Sequence, residues 1–164
     1  MTNNIALEGP APYSGLAEKL SEEQILKRAE SILFKRFERS CYLTSPEATR
    51  RYLTTHFADK TREVFSLIFM DSQHGVLGIE DLFTGTIDSA SVYPREIVKD
   101  ALSHEAAAVI FAHNHPSGTA EPSTADQHIT TRINTALETI DIRVLDHLVI
   151  GGTVTVSFAE RGLL

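Results

Sequence analysis

The stretch His113-Asn114-His115-Pro116-Ser117-Gly118-Thr119-Ala120-Glu121-Pro122-Ser123-Thr124-Ala125-Asp126 decides how the rest of the chain is read. It follows the apolar run Ala106-Ala107-Ala108-Val109-Ile110-Phe111-Ala112, which predicts a buried strand. Side chains two residues apart on a strand share a face, so the imidazoles of His113 and His115 leave the strand end together in a chelating arrangement. Pro116 and Gly118 then shape a turn, the first by its fixed φ and the second by permitting a positive one. Asp126 returns from the first turn of a new helix as a third, oxygen ligand. Two neutral nitrogens and a carboxylate, with a fourth position left for water, make the donor set of a catalytic zinc site; a structural site closes all four positions with protein. The same residues also admit a plainer reading. Ser123 and Asp126 form an S-x-x-D helix cap with a first-turn acid, and the histidines are then hydrogen-bonded loop residues.

His113-x-His115-Pro116-x-Gly118 followed by Pro122-Ser123-x-x-Asp126 resembles the JAMM motif of the JAB/MPN metalloproteases. Phe83-Thr84-Gly85-Thr86-Ile87-Asp88-Ser89-Ala90-Ser91-Val92-Tyr93-Pro94-Arg95-Glu96 upstream and Leu145-Asp146-His147 downstream resemble its RadC branch. The resemblance covers about residues 42–164. It implies an α/β fold of the MPN/JAB, cytidine-deaminase-like kind, a mixed, curved sheet flanked by helices with the metal at the strand end before His113. It also implies a zinc metallopeptidase that holds Zn2+ through His113, His115 and Asp126 and cleaves an amide or isopeptide bond in a protein or peptide substrate.

Such chemistry needs a proton carrier beside the metal. The resemblance places it on Glu63, between a helix and the strand that starts at Val64; the plainer alternative is an exposed acid paired with Arg62 or Lys60. Three other glutamates compete and have simpler explanations: Glu80 as a strand residue facing water, Glu96 as a first-turn surface acid, Glu105 as a helix-end acid. Ser123 is implied as a hydrogen-bond donor to the oxyanion of the tetrahedral intermediate, and it is equally the natural N-cap of the next helix. The family commonly carries a helix-hairpin-helix region ahead of the metal domain. The first forty or so residues here show one helix and no second with a Gly-bearing hairpin, which predicts a short form: a tail over 1–20, a helical segment over 21–41 and the metal domain over 42–164.

The chain has 164 residues, 42% hydrophobic and 23% charged, which suits one domain with a sizeable core. A formal net charge of -7 and a pI of about 5.4 leave no global basic field to bind a polyanion by counterion release. This weighs against the alternative function, a DNA-repair or mobile-element accessory protein that binds nucleic acid or a replication partner with its metal mainly structural. Cys41 is the single cysteine, so no intramolecular disulfide and no Cys-ligated cluster forms. It reads as an inert, partly buried thiol, and a reduced, cytoplasmic setting fits. No apolar stretch approaches the ~18 residues of a membrane span, and the N-terminus lacks a signal-peptide pattern, so no membrane association is expected.

Gly9, Pro10, Pro12 and Gly15 predict a mobile tail over 1–20. Ser21-x-x-Gln24 predicts a capping box opening an amphipathic helix over 21–39, with Ile25, Ala29, Ile32, Leu33 and Phe37 inward and its mixed charges solvated. Ser45-Pro46-Glu47 starts a second helix, running to about Ala58, with Ala48, Tyr52 and Leu53 inward. A hairpin follows over 64–70 and 76–84, turning at Asp71-Ser72-Gln73-His74-Gly75. A helix from Pro94 to about Ser103 buries Ile97, Val98, Ala101 and Leu102. Another over 123–139 buries Ile129, Ile133, Ala136, Leu137 and Ile140. Residues 144–150 and 153–158 close the chain as a hairpin turning at Gly151-Gly152. His56, His74, His104 and His128, on predicted helices or turns without partner ligands, read as surface or helix-end residues. His147 reads as a satisfied core imidazole in preference to a group that orients a ligand.

Overall fold

A computed structural model describes residues 21–39, 46–85 and 92–164. Its elements in chain order are α1 (Glu22–Arg39), α2 (Pro46–His56), β1 (Val64–Met70), β2 (Val76–Thr84), α3 (Pro94–Ser103), β3 (Ala108–Asn114), α4 (Thr124–Glu138), β4 (Arg143–Gly151), β5 (Val154–Ser157) and α5 (Phe158–Arg161). The five strands form one open mixed sheet in the order β2-β1-β3-β4-β5, in which only the β3-β4 pair, joined through α4, is parallel.

Of the inner strands, β1 and β3 are buried at every residue, because helices cover both faces of the sheet there. Strand alternation divides their side chains between two cores. Phe65, Leu67, Phe69, Val109 and Phe111 meet Ile97 and Ala101 of α3 and Ile129, Ile133 and Leu137 of α4. Val64, Ile68, Met70, Ala108, Ile110 and Ala112 meet Tyr52 and Leu53 of α2, with Leu33 and Phe34 of α1 packed behind. The alternation continues to the end of β3. His113, stacked on Phe65 at 6.3 Å, belongs to the α4 side, while Asn114 reaches to the segment that follows α2.

Several sequence expectations hold locally. The Ser21 and Gln24 capping box forms, with reciprocal bonds of 2.9 and 3.2 Å. Others are corrected by packing. Ile25 and Ile32 are about half exposed (53% and 45%), because α1 packs on α2 through Leu33 and Phe34. Ala48 is exposed, and Leu102 is 56% exposed because α3 meets the sheet along the Ile97 and Ala101 ridge, leaving residue 102 about a quarter turn away. The last turn is Gly152-Thr153, since β4 runs on through Gly151, and the final strand stops at Ser157, which caps the short α5. The expected tail over 1–20, Cys41, the Ser45 cap and the Phe37 side chain lie outside the described residues. Among the described residues no helix is long and apolar enough to cross a membrane.

Candidate metal centre

The end of β3 and the start of α4 bring three ligand-type side chains together. The Nε2 atoms of His113 and His115 face each other at 3.0 Å. Asp126 Oδ1 lies 3.3 Å from the first and Asp126 Oδ2 3.5 Å from the second. Among the described residues this is the one group of three such side chains close enough to share an ion. The His113 and Asp126 side chains are sealed at 1% exposure, whereas His115 keeps 14%, so the group is open to solvent on the His115 side. His115 prolongs the β3-β4 pairing by one residue, its N–H donating to the Ile150 carbonyl at 2.8 Å.

Cap and ligand turn out to be compatible readings of Asp126. Its Oδ2 accepts the backbone N–H and the hydroxyl of Ser123, both at 2.7 Å, and Ser123 Oγ in turn accepts the Asp126 N–H at 3.1 Å, completing a capping box on α4. Its Oδ1 is left over. That atom is buried and has no hydrogen-bond partner, an arrangement that costs free energy unless a cation or donor meets it. Burial raises the Asp126 pKa, but the imidazoles of His113 and then His115 beside it outweigh burial and hold the carboxyl well below the usual range, so it stays ionised. His115 is pushed up first by Asp126, with the Thr119 carbonyl and, more remotely, Glu63 acting the same way against burial.

The donor chemistry fits a divalent ion. His115 Nδ1 lies 2.7 Å from the Thr119 carbonyl oxygen, which can only accept. The ring proton is therefore on Nδ1 and the Nε2 lone pair faces Asp126. A bare nitrogen, an unpartnered carboxylate oxygen and a second imidazole converging from three sides match the neutral-histidine and carboxylate set that binds such ions. The loop is held in place by close approach. A Cβ on Gly151 would fall 2.4 Å from Ala120 N and 2.7 Å from Gly118 O, so only glycine lets β4 pass under the loop. The neighbouring Gly152 serves the turn, with φ +59.

Glu63 sits half-buried just ahead of β1 and lines a small cleft with Phe65, Phe83, Gly85, Val92 and His113. Its carbonyl accepts the Gly85 N–H at 2.8 Å. The three competing glutamates are placed otherwise: Glu80 lies 3.3 Å from His104, Glu96 pairs with Arg95 and Lys99, and Glu105 is exposed. Ser123, as placed, directs its hydroxyl proton at Asp126 Oδ2, so a role as oxyanion donor requires that hydroxyl to turn away from the carboxylate.

Two histidine readings change. His147 is fully buried with Nε2 2.8 Å from His113 Nδ1 and Nδ1 2.6 Å from the Thr130 hydroxyl, so it touches a ligand and is not merely core packing; burial holds its pKa well below the ordinary imidazole value. His56, read as a surface or helix-end residue without partner ligands, does end α2 but is half-buried there between the carboxylates of Glu30 and Asp81. Sequence reasoning missed Thr130 and Asn114. For Asn114 a signal exists, an amide at a position that strand periodicity buries.

A family model described as a RadC-like JAB domain matches residues 43–163. A UPF0758 protein of Aeromonas hydrophila is 56% identical over 156 residues, 95% of this chain and 67% of that protein. UPF0758 proteins of Tolumonas auensis and Nitrosococcus oceani are 54% and 52% identical over 156 and 154 residues, covering 95% and 94% of this chain and 67% and 69% of their own lengths. The chain thus spans about two thirds of the length of the curated relatives it matches. Matches this long also take in most of the residues ahead of Tyr42, further than the motifs alone indicated.

Proposed function

The chain belongs to the RadC-like JAB domain family, and from that premise we propose that it is a zinc-dependent hydrolase of the JAMM type that cleaves an amide or isopeptide bond in a protein or peptide. The observation that carries this reading is the buried, unpartnered Oδ1 of Asp126 facing two imidazole nitrogens. His113, His115 and Asp126 would hold the ion. A bound Zn2+ supplies Lewis acidity and makes water acidic enough to attack a carbonyl near neutral pH.

The chain's own residues account for the rest. Glu63, in the cleft beside His113, accepts a proton from the attacking water at a carboxylate oxygen and returns it to the leaving amine nitrogen, so that a neutral amine departs. Ser123 keeps Asp126 turned so that Oδ1 points inward, and on rotation its hydroxyl is available to the developing oxyanion. The partly exposed flank of His115 is the side from which a substrate carbonyl enters.

The test is metal analysis of the purified protein together with cleavage assays on peptide and isopeptide substrates, for wild type, His113→Ala and Glu63→Gln. Zinc near one equivalent in wild type and Glu63→Gln but not in His113→Ala, with cleavage by wild type alone, is the expected pattern. Full cleavage by Glu63→Gln rejects its role; a wild type that takes up no zinc rejects the reading.

A further inference from the structure

Thr130 and His147 stand outside the ligand triad, yet they are 1% and 0% exposed and tied to it. The Thr130 hydroxyl, one turn after Asp126 on α4, lies 2.6 Å from the Asp126 backbone carbonyl and 2.6 Å from His147 Nδ1. A carbonyl can only accept, so the single hydroxyl proton goes there. Thr130 Oγ1 then meets His147 as an acceptor, which puts a proton on His147 Nδ1.

The ring of His147 is enclosed by Phe65, Phe111 and Phe158, with centroids 5.5, 5.7 and 4.5 Å away, and a cation sealed among phenyl rings is costly. A neutral ring protonated at Nδ1 has a bare Nε2, and that atom lies 2.8 Å from His113 Nδ1. Two bare nitrogens do not attract at this distance. The proton between them is therefore on His113 Nδ1, which leaves His113 Nε2 bare and 3.3 Å from Asp126 Oδ1.

We propose that Thr130 and His147 are positioning residues that set the tautomer of His113, fixing its Nε2 lone pair toward the place of the ion. The relay starts and ends on Asp126, from the backbone carbonyl through Thr130, His147 and His113 to the facing carboxylate, so α4 orients two ligands at once. This rests on the metal reading of the triad, because the bare Nε2 atoms of His113 and His115, 3.0 Å apart, face each other without repulsion only around a cation.

The experiment compares wild type, Thr130→Val, Thr130→Ser and His147→Phe. Nitrogen-15 spectra of histidine-labelled, zinc-loaded protein report which ring nitrogen of His113 carries the proton, and competition with a chelating dye reports the affinity for Zn2+ alone. Wild type and Thr130→Ser are expected to show His113 protonated at Nδ1. Thr130→Val and His147→Phe lose that single tautomer and bind Zn2+ about 10–100-fold more weakly, the usual effect of removing a group that orients a metal-bound histidine. Circular dichroism confirms that each variant compared is folded, and His147→Phe decides the matter should Thr130→Val not fold. A proton on His113 Nε2 in the wild type, or wild-type Zn2+ affinity in a folded Thr130→Val or His147→Phe, overturns the proposal. Absence of Zn2+ uptake by wild type overturns the metal reading itself, whereas Zn2+ uptake with the proton on His113 Nε2 overturns this proposal alone.

Discussion

Asn114 holds the backbone of Val64: its side-chain Oδ1 accepts the Val64 N–H at 2.8 Å, while Nδ2 donates to the carbonyls of Arg62 at 3.0 Å and Lys60 at 3.5 Å. The residue lies between His113 and His115 and faces the other side of the sheet. One strand end therefore presents two metal ligands on one face and, on the other, grips the segment that carries Glu63. Ligands and proposed proton carrier are set by the same three residues.

Replacing Asn114 with Leu keeps the branched heavy-atom shape and leaves the Val64 N–H buried without an acceptor, at a cost of about 1–3 kcal/mol. The ligands are untouched, so Zn2+ affinity should stay within a few-fold of wild type. Turnover should fall by roughly 100-fold, the penalty for misplacing a reacting group by about 1 Å. Urea unfolding, dye competition and kcat measure the three quantities. Equal losses in affinity and turnover would mean that Asn114 acts through the histidines and not through Glu63.

Adjacent glycines should behave differently. In Gly151→Ala the new methyl meets backbone at 2.4 to 2.7 Å, so the loop from His115 to Ala120 must shift and the Thr119 carbonyl leaves His115 Nδ1. Destabilisation of about 1–3 kcal/mol and weakened Zn2+ binding are expected. Gly152→Ala meets nothing within 4 Å and pays only for its positive φ, about 1 kcal/mol, with metal binding intact. Thermal melts with and without Zn2+ separate the two; a silent Gly151→Ala would mean that the loop yields freely.

What the sequence disclosed and what it hid follow from the range of the interactions. β1 and β3 were readable because Val64–Met70 is rich in β-formers and residues 106–112 are an apolar run, and the ligand triad because strand period and helix cap place all three residues locally. The contacts of Asn114 with Val64 and of His113 with His147 span 50 and 34 positions, and depend on which strands become neighbours. Nothing local encodes that. The buried face of α1 was misread for a related reason: periodicity finds an apolar stripe, but the partner decides which part of it is covered, and Leu33 and Phe34 are the side chains that reach α2.

Zinc should stabilise the fold by an amount that grows with the logarithm of its free concentration above Kd. At a free concentration 1,000 times Kd the gain is about 4 kcal/mol, and removal by a chelator reverses it. Asp126→Asn keeps the shape of the cap but loses the charge that draws the ion, so its Zn2+ affinity should drop by more than about 100-fold, beyond what loss of an outer hydrogen-bond partner costs. Calorimetry with and without Zn2+ on wild type and Asp126→Asn tests both expectations. A thermal shift of wild-type size in Asp126→Asn would place the ion elsewhere.

The clamp around His56 predicts a pH signature for the attachment of α1. His56 Nδ1 pairs with Glu30 of α1 and Nε2 lies 2.7 Å from Asp81 Oδ1 on β2, where Ser66 donates at 2.6 Å and Lys60 approaches at 3.3 Å. Burial lowers the His56 pKa, but the hydrogen bonds to Asp81 and then Glu30 outweigh it, so the net shift is upward. Burial likewise raises Asp81, and His56 and Ser66 outweigh it, so the net shift is downward. The raised histidine contributes stability that is complete below its unfolded pKa of about 6.5 and fades as pH rises through the folded value. The depressed aspartate contributes stability that is complete above about 3.9 and fades as pH falls through its folded value. Both are therefore at full strength from about pH 4 to 6.5. The stability difference between wild type and His56→Gln, followed by urea unfolding, should be greatest in that window and shrink on its alkaline side. A difference that stays flat from pH 5 to pH 9 would show that His56 contributes by packing against Tyr52 and Phe57 and not as a cation between two carboxylates.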